Sequence, residues 1–278
     1  CLDSGAGDYK RFWTTTSLRG LIGCSLRVGV LEEGVHSGGA SGHVPSSFRI
    51  ARQLLSRLED ENTGEIKLKE LHTDIPKHRI SETEIFVDIL GQEVVDEFPW
   101  KDKTKPSTED LLEGVLRRTW RPALSVVGAN GLPPSENAGN VLRPYTKLQL
   151  SIRIPPMVDP VLAQNAIVKH LTEDVPYNAT VVVETIDAAA GWSAPKASGW
   201  LAKAIEKASL NHFEERDCSI SEGGTIPFMA MLGEKYPQAQ FVITGVLGPN
   251  SNAHGPNEFL HIPYAKKLTC CIASIIND

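Results

Sequence analysis

The chain has 278 residues, with 28 Lys and Arg against 34 Asp and Glu, which gives a formal net charge of −6. A chain of this length is expected to form roughly two domains of ~150 residues each. The negative charge disfavours nucleic acid or an anionic membrane as a partner, because neutralising phosphates needs an excess of positive charge. No apolar run approaches the ~18 residues of a membrane span, so no membrane partner is predicted.

A strand and then a helix are predicted first. Within residues 17–30, Leu26, Val28 and Val30 alternate with Arg27 and Gly29, which is the period of a half-buried strand. Ser46 can cap the helix that follows, because a serine hydroxyl accepts hydrogen bonds from the free N–H groups of a first turn. The apolar residues of this helix recur at three- and four-residue steps: Ile50, Leu54, Leu55 and Leu58.

Two strands, a helix and a last strand come next. Residues 123–128 form a short apolar run, and residues 145–154 alternate apolar with polar side chains, Arg153 among the latter. Asp159 and Pro160 supply an N-cap and a first-turn proline to the second helix. Residues 180–186, TVVVETI, predict the last strand.

This order of elements is that of a split βαβ unit, which forms a four-stranded antiparallel sheet with two helices on one face. We therefore predict an α+β domain over residues 16–186. Residues from about 60 to 120 are polar and do not fit this unit, so they are interpreted as a partly helical insertion, with Ser107 and Asp110 in a capping box.

Beyond Asp187 the pattern changes to that of an α/β domain. A helix over 201–213 and a final helix flank the continuous apolar run FVITGVL at 241–247. Such a run between helices is typical of a mostly parallel sheet covered on both faces. We expect residues 1–15 and 187–278 to be parts of one incomplete α/β domain, with further strands supplied from upstream of Cys1.

Two glycine-rich clusters carry a polar side chain in a loop, where function concentrates. Asp3 lies in CLDSGAGD at the end of an apolar stretch, where a carboxylate suits a metal or ligand or, alternatively, starts a turn. His36 lies among the glycines of residues 33–42. It either donates to a developing oxyanion or belongs to a flexible surface loop.

Two further clusters offer other chemistry. Asn140 lies in NAGNVL, and Arg153 has a planar guanidinium that suits a carboxylate, although an exposed arginine can also merely be solvated. His254 follows the apolar run 241–247 and accompanies SEGGTIP at 221–227. It is a candidate zinc ligand or a structural loop histidine.

The five cysteines contain no C-x-x-C pair. An odd number of cysteines without paired spacing is typical of reduced thiols, so a cytoplasmic location is expected rather than a disulfide framework.

Five motifs occur in order along the chain: CLDSG, VHSG, SIRIP, EGGTIP and NAHGPNE. Together they resemble the carnosinase, aminoacylase and glutamate carboxypeptidase-like family of dinuclear zinc metallopeptidases, which includes the cytosolic nonspecific dipeptidases. The resemblance implies a zinc-binding α/β domain interrupted by an α+β lid through which the protein forms a homodimer. It also implies two Zn²⁺ ions, and Mn²⁺ or Co²⁺ remain possible because oxygen and nitrogen ligands accept all three.

The resemblance implies a role for each candidate residue. Asp3 and His254 are similar to ligands of the two zinc ions, and His36 to the histidine that reaches across the dimer and polarises the scissile carbonyl. Arg153 is similar to the clamp for the substrate carboxylate. The remaining positions would contact the substrate: Asn140, Gly223, Gly224 and Thr225.

The family also uses an H-x-D motif ahead of the first cluster and an E-E pair, and neither is matched in that arrangement here. The sequence therefore resembles the C-terminal portion of such an enzyme. For the complete protein we expect zinc-dependent hydrolysis of a small peptide or N-acyl amino acid with a free carboxylate. The chain alone is expected to be inactive and to bind metal weakly or not at all. The alternative is a non-catalytic lid protein that dimerises or binds peptides.

Overall fold

The computed structural model describes all 278 residues. Its strands are β1 Trp13–Leu18, β2 Gly20–Gly29, β3 Val35–His36, β4 Ala123–Asn130, β5 Val141–Leu142, β6 Tyr145–Ile154, β7 Thr180–Ala189, β8 Trp192–Ser193 and β9 Cys218–Glu222. Its α-helices are α1 Ser37–Ala40, α2 Ser47–Leu58, α3 Lys77–Leu90, α4 Glu93–Asp96, α5 Leu111–Thr119, α6 Pro160–Thr172, α7 Gly199–Phe213, α8 Pro227–Lys235 and α9 Ile262–Asn277. None of these helices combines the length and the apolar character that crossing a membrane requires.

The chain divides into two compact units. Unit 1 comprises Cys1–Arg19, Asp74–Trp120 and Gly191–Asp278, and unit 2 comprises Gly20–Thr73 and Arg121–Ala190. Residues from about 60 to 120 are predicted to form an insertion within 16–186, whereas residues 74–120 group with unit 1 here. The physical reason is that apolar side chains of this stretch, including Phe86 and Val115, pack in the same core as Trp13.

Unit 2 contains the predicted four-stranded antiparallel sheet, in the order β4-β6-β2-β7. Strands β2 and β6 pair over ten residues, from Gly20 opposite Ile154 to Gly29 opposite Tyr145. From Lys147 to Ile154 the alternation in β6 is obeyed, since the apolar residues are buried and the polar residues are partly exposed. The period of two in the sequence therefore predicts this strand and its orientation.

Helices α2 and α6 pack on one face of this sheet and share its core. The Ser46 hydroxyl accepts a hydrogen bond from the Arg49 N–H at 3.3 Å, and the Asp159 carboxylate accepts from the Val161 and Leu162 N–H groups. Both predicted N-caps are thus confirmed, and each satisfies backbone donors that a helix leaves free at its start.

Unit 1 contains a smaller mixed sheet, in which β1 pairs in parallel with β9 and antiparallel with β8. The sequence predicts a mostly parallel sheet with a strand over 241–247, and no strand forms there. Instead, individual backbone hydrogen bonds and one isolated bridge connect this segment to the rest of unit 1. The Thr15 N–H donates to the Ile243 carbonyl oxygen at 2.7 Å, and Gly5 forms one isolated parallel bridge with Leu247.

Helix α5 lies in the polar stretch predicted over residues 60–120. Its N-cap is Asp110, whose carboxylate accepts from the Glu113 N–H at 3.0 Å. The predicted capping box is therefore corrected, because Asp110 rather than Ser107 caps this helix.

Candidate active site

Asp3 lies on a segment that runs alongside residues 242–247 in unit 1. The Thr244 N–H donates to the Cys1 carbonyl oxygen at 3.0 Å, and the Ala6 N–H donates to that of Leu247 at 2.8 Å. These bonds place Asp3 beside Gly245, with an exposed side chain. A Cβ atom at Gly245 would overlap the Ser4 backbone, so only glycine allows the two segments to approach this closely.

His254 lies in the loop that follows residues 242–247. Its backbone is in the left-handed region with φ of 60°, its N–H donates to Glu258 Oε2 at 3.2 Å, and its side chain is exposed. The Asn252 side-chain amide closes the loop by donating to the Pro256 carbonyl oxygen at 2.6 Å. The loop therefore has a defined backbone path that presents the imidazole to the surface.

Tyr9 holds the same loop at both of its ends. Its hydroxyl donates to the Pro249 carbonyl oxygen at 3.1 Å, and its ring stacks on that of His261 with centroids 4.1 Å apart. His261 in turn caps α9 by accepting from the Tyr264 N–H at 3.1 Å. The path of the His254 loop thus depends on aromatic contacts that the sequence motifs do not include.

The donors of Asp3 and His254 have the right chemistry for zinc, since carboxylate oxygen and imidazole nitrogen are both common zinc ligands. Nowhere in the chain, however, are three or more His, Cys, Asp or Glu side chains grouped so that they could hold a metal ion. A catalytic zinc needs about three protein ligands. The residues present therefore do not fit a complete metal centre.

One H-x-D tripeptide does occur in the chain, at His72-Thr73-Asp74. It follows the VHSG motif instead of preceding the first cluster, so it does not match the H-x-D motif of the family. The His72 ring forms a hydrogen bond through Nε2 with the Ile66 carbonyl oxygen at 2.7 Å. The His72 ring is therefore engaged in a local loop contact, and the tripeptide belongs to no metal-binding group.

The predicted substrate loop, Gly223 to Thr225, connects β9 to α8 in unit 1. The Thr225 hydroxyl donates to the Arg19 carbonyl oxygen at 2.6 Å, and the Arg19 Nε donates to that of Gly223 at 3.2 Å. By contrast, nothing lies within 4 Å of the position that a Cβ on Gly224 would take. The loop is thus fixed at both ends and open at its centre.

Glu222, at the start of this loop, is a functional candidate that the sequence analysis misses. Burial raises the pKa of its carboxyl above the ordinary value, and the nearby charge of Arg118 opposes that change. Hydrogen bonds from the Gly5 N–H and the Ser4 hydroxyl also stabilise its ionised form. Glu222 therefore links the loop to the segment that carries Asp3. Its place directly before two glycines is the sequence signal that could have singled it out.

His36 and Asn140 come together in unit 2, although 104 positions separate them in the sequence. His36 pairs with Val141 in the small β3-β5 ladder, and the Ser37 N–H donates to the Asn140 carbonyl oxygen at 2.9 Å. Both His36 and Asn140 are exposed. An exposed imidazole on a backbone held in this way can donate to a carbonyl oxygen of a bound molecule.

Arg153 lies near the end of β6, an inner strand of the sheet of unit 2. It pairs with Leu21 of β2 on one side and with Ala123 of β4 on the other. Its side chain is half-buried and lies on the face opposite the apolar core. A guanidinium fixed on a central strand is well placed for a bidentate contact with a carboxylate.

The comparisons with known proteins decide the family. A profile of the peptidase dimerisation domain of M20 enzymes matches residues 16–178. The chain belongs to the M20 peptidase dimerisation domain family. This M20 chain is also 25% identical over 272 residues to the cysteinylglycine-S-conjugate dipeptidase of Corynebacterium striatum, a match that covers 91% of the chain and 55% of that protein.

Solved structures of M20 enzymes share the fold. The dipeptidase Dug1p from Saccharomyces cerevisiae has a TM-score of 0.78 at 20% identity, with 99% of this chain and 57% of the other covered. The metallo-carboxypeptidase Sso-CP2 from Sulfolobus solfataricus has a TM-score of 0.75 at 18% identity, with 98% and 61% covered. The chain thus spans little more than half the length of the relatives it matches.

Proposed function

We propose that the protein containing this chain hydrolyses a peptide or N-acyl amide bond in a small substrate with a free carboxylate, using zinc. The observation that carries the proposal is the pairing of the Asp3 segment with residues 242–247, whose end leads into the His254 loop. This pairing supports a shared metal centre for two residues that are 251 positions apart. The likeness to a dipeptidase and to a metallo-carboxypeptidase supports the same reaction.

The roles proposed for residues of this chain are binding and polarisation. Arg153 binds the substrate carboxylate, which fixes one end of the substrate. His36 donates a hydrogen bond to the scissile carbonyl oxygen as negative charge develops there. The loop of Gly223, Gly224 and Thr225 and the side chain of Asn140 contact the rest of the substrate.

The metal enters this proposal only as a partner of Asp3 and His254. Their two donors suit zinc and also accept manganese or cobalt. Because two ligands do not complete a catalytic site, we derive no chemical step through the metal for this chain. We propose instead that residues 1–278 alone are inactive and that the remaining ligands belong to another part of the protein.

We also propose that two copies associate through the α+β lid, residues 16–186, and that residues 1–15 and 187–278 belong to the catalytic domain. The match of residues 16–178 to a dimerisation domain supports the first proposal.

We propose a cytoplasmic location as well. All five cysteines are free thiols, which supports a reducing compartment such as the cytoplasm.

The experiment that tests this function uses the product of the complete reading frame that contains the chain. Dipeptides and N-acyl amino acids are assayed with added zinc, with chelator, and with residues 1–278 alone as the control. We expect zinc-dependent hydrolysis by the complete protein only. A stable dimer that cleaves none of these substrates would contradict the proposal and favour the non-catalytic lid protein.

A further inference from the structure

Arg19 is the last residue of unit 1 before the chain enters β2, and its position is unusual for an arginine. Only 9% of its surface is exposed. Burying a guanidinium costs free energy unless its N–H groups find acceptors. Two acceptors are main-chain carbonyl oxygens, that of Gly223 at 3.2 Å from Nε and that of Arg117 at 3.4 Å from Nη1.

The backbone of Arg19 holds the same loop from the other side. Its N–H donates to the Glu222 carbonyl oxygen at 3.3 Å, and its own carbonyl oxygen accepts the Thr225 hydroxyl at 2.6 Å. One residue therefore contacts the stretch from Glu222 to Thr225 at three positions, through its amide, its carbonyl and its guanidinium. Few side chains could replace this arrangement, since the planar fork of arginine directs its donors in fixed directions.

Gly223 completes the arrangement. A Cβ atom at this position would lie 2.6 Å from the Arg118 carbonyl oxygen and 3.1 Å from Arg19 Nη2. The loop backbone is therefore pressed between the guanidinium and the end of α5, and a side chain on Gly223 would displace one of them. Gly224, in contrast, remains open to other molecules.

We propose that Arg19 is a positioning residue for substrate binding, because it fixes the conformation of the loop from Gly223 to Thr225. It does not itself touch the substrate. The inference rests on the proposed function, which assigns this loop to the substrate, and it adds a residue that lies outside all five sequence motifs.

The first test measures steady-state kinetics on dipeptides with the complete protein and three variants: Arg19→Ala, Arg19→Lys and the control Arg117→Ala. Arg117 contacts Arg19 through its carbonyl oxygen, while its side chain pairs with Glu113. We expect Arg19→Ala to raise KM about ten- to a hundredfold, because each lost hydrogen bond to a charged group is a loss of that order, with a much smaller change in kcat.

Two features separate positioning from a purely structural role. Added guanidinium ion should lower the KM of Arg19→Ala and leave that of Arg19→Lys unchanged, because only the alanine variant has an empty place for the ion. Arg117→Ala should keep the wild-type KM. An unchanged KM in Arg19→Ala, or a loss of folded protein with no change in KM, would overturn the proposal.

A second measurement separates this inference from the proposed function. Amide hydrogen exchange of residue 19, whose N–H donates to the Glu222 carbonyl oxygen at 3.3 Å, is followed in the complete protein, in the wild type and in the same three variants. Exchange in Arg19→Ala should be at least about tenfold faster than in the wild type and Arg117→Ala, since the loop loses its anchor. If the wild type cleaves no substrate, the proposed function fails, and equal exchange rates in all four proteins would overturn the role of Arg19.

Discussion

The backbone N–H of Ser37 donates to the carbonyl oxygen of Asn140 at 2.9 Å, which makes neighbours of two loops that are about 100 residues apart in the sequence. The bond extends the short ladder in which His36 pairs with Val141. His36 and Asn140 are both candidate substrate residues, and this contact holds them through the backbone. Their side chains therefore remain available for a ligand.

The first prediction concerns His36. In the complete protein, His36→Ala should lower kcat by about 10²- to 10³-fold, as expected for the loss of one hydrogen-bond donor to a developing oxyanion. The thermal midpoint should stay unchanged because the side chain is exposed. His43→Ala, an exposed histidine in the same unit, is the control and should keep full activity. Equal kcat values in the two variants would remove His36 from this role.

The second prediction concerns Arg153. Arg153→Ala should raise KM for substrates with a free carboxylate by about tenfold or more and leave KM for the matching amides nearly unchanged, since only the carboxylate binds the guanidinium as an ion. The control is Arg27→Ala, because Arg27 stacks on the Tyr145 ring at 4.5 Å and has no proposed substrate role. KM values that rise alike for acid and amide substrates would argue against the clamp.

The third prediction compares two glycines. Gly245→Ala should lower the free energy of unfolding by about 1–3 kcal/mol, because the new methyl group would overlap the Ser4 backbone. Gly224→Ala should change it by less than about 0.5 kcal/mol, since nothing lies within 4 Å of the added atom. Urea unfolding of both variants measures the difference. Equal stabilities would show that the Asp3 segment does not approach residue 245 closely.

The fourth prediction concerns thiol reactivity. Burial raises the pKa of Cys24 to about 11 and that of Cys218 and Cys271 to about 12, while Cys1 and Cys270 are exposed. Because the thiolate is the reactive form, an alkylating reagent at pH 8 should label Cys1 and Cys270 in the native chain and all five cysteines after unfolding. Rapid native labelling of Cys24, measured by peptide mass, would contradict the buried core of unit 2.

Local patterns predict the elements whose stability comes from one buried face. The alternation in β6 and the N-caps Ser46 and Asp159 are examples, since each depends on residues a few positions apart. Residue type alone predicts less than spacing does. Leu162 is apolar and 63% exposed, because Ala163, four positions before Ile167, occupies the buried position instead.

The prediction of a regular strand over residues 241–247 is wrong because of tertiary contacts. The hydrophobicity of this run correctly predicts an extended segment inside unit 1, with Ile243 buried. Regular pairing, however, requires two neighbouring strands in register. The bonds of this run to Cys1 and Ala6 on one segment and to Thr15 in β1 make only one bridge. Composition predicts burial here but cannot predict that register.

In the candidate site, too, local sequence predicts some features and distant contacts decide others. The motifs identify Asp3, His36 and His254 as residues with suitable chemistry, because residue type and neighbouring glycines are visible in the sequence. Tyr9 holds the His254 loop and Arg19 holds the loop of residues 223–225. Both act through contacts more than 200 positions away and carry no local signal.

The zinc content of the complete protein and of its Asp3→Asn and His254→Gln variants, determined by elemental analysis after dialysis, tests directly whether Asp3 and His254 bind zinc in one dinuclear centre. If these two residues are ligands of one dinuclear centre, the wild type should retain two zinc ions per chain, each variant should retain about one, and His43→Gln should retain both. Two tightly held zinc ions in both Asp3→Asn and His254→Gln would contradict the account.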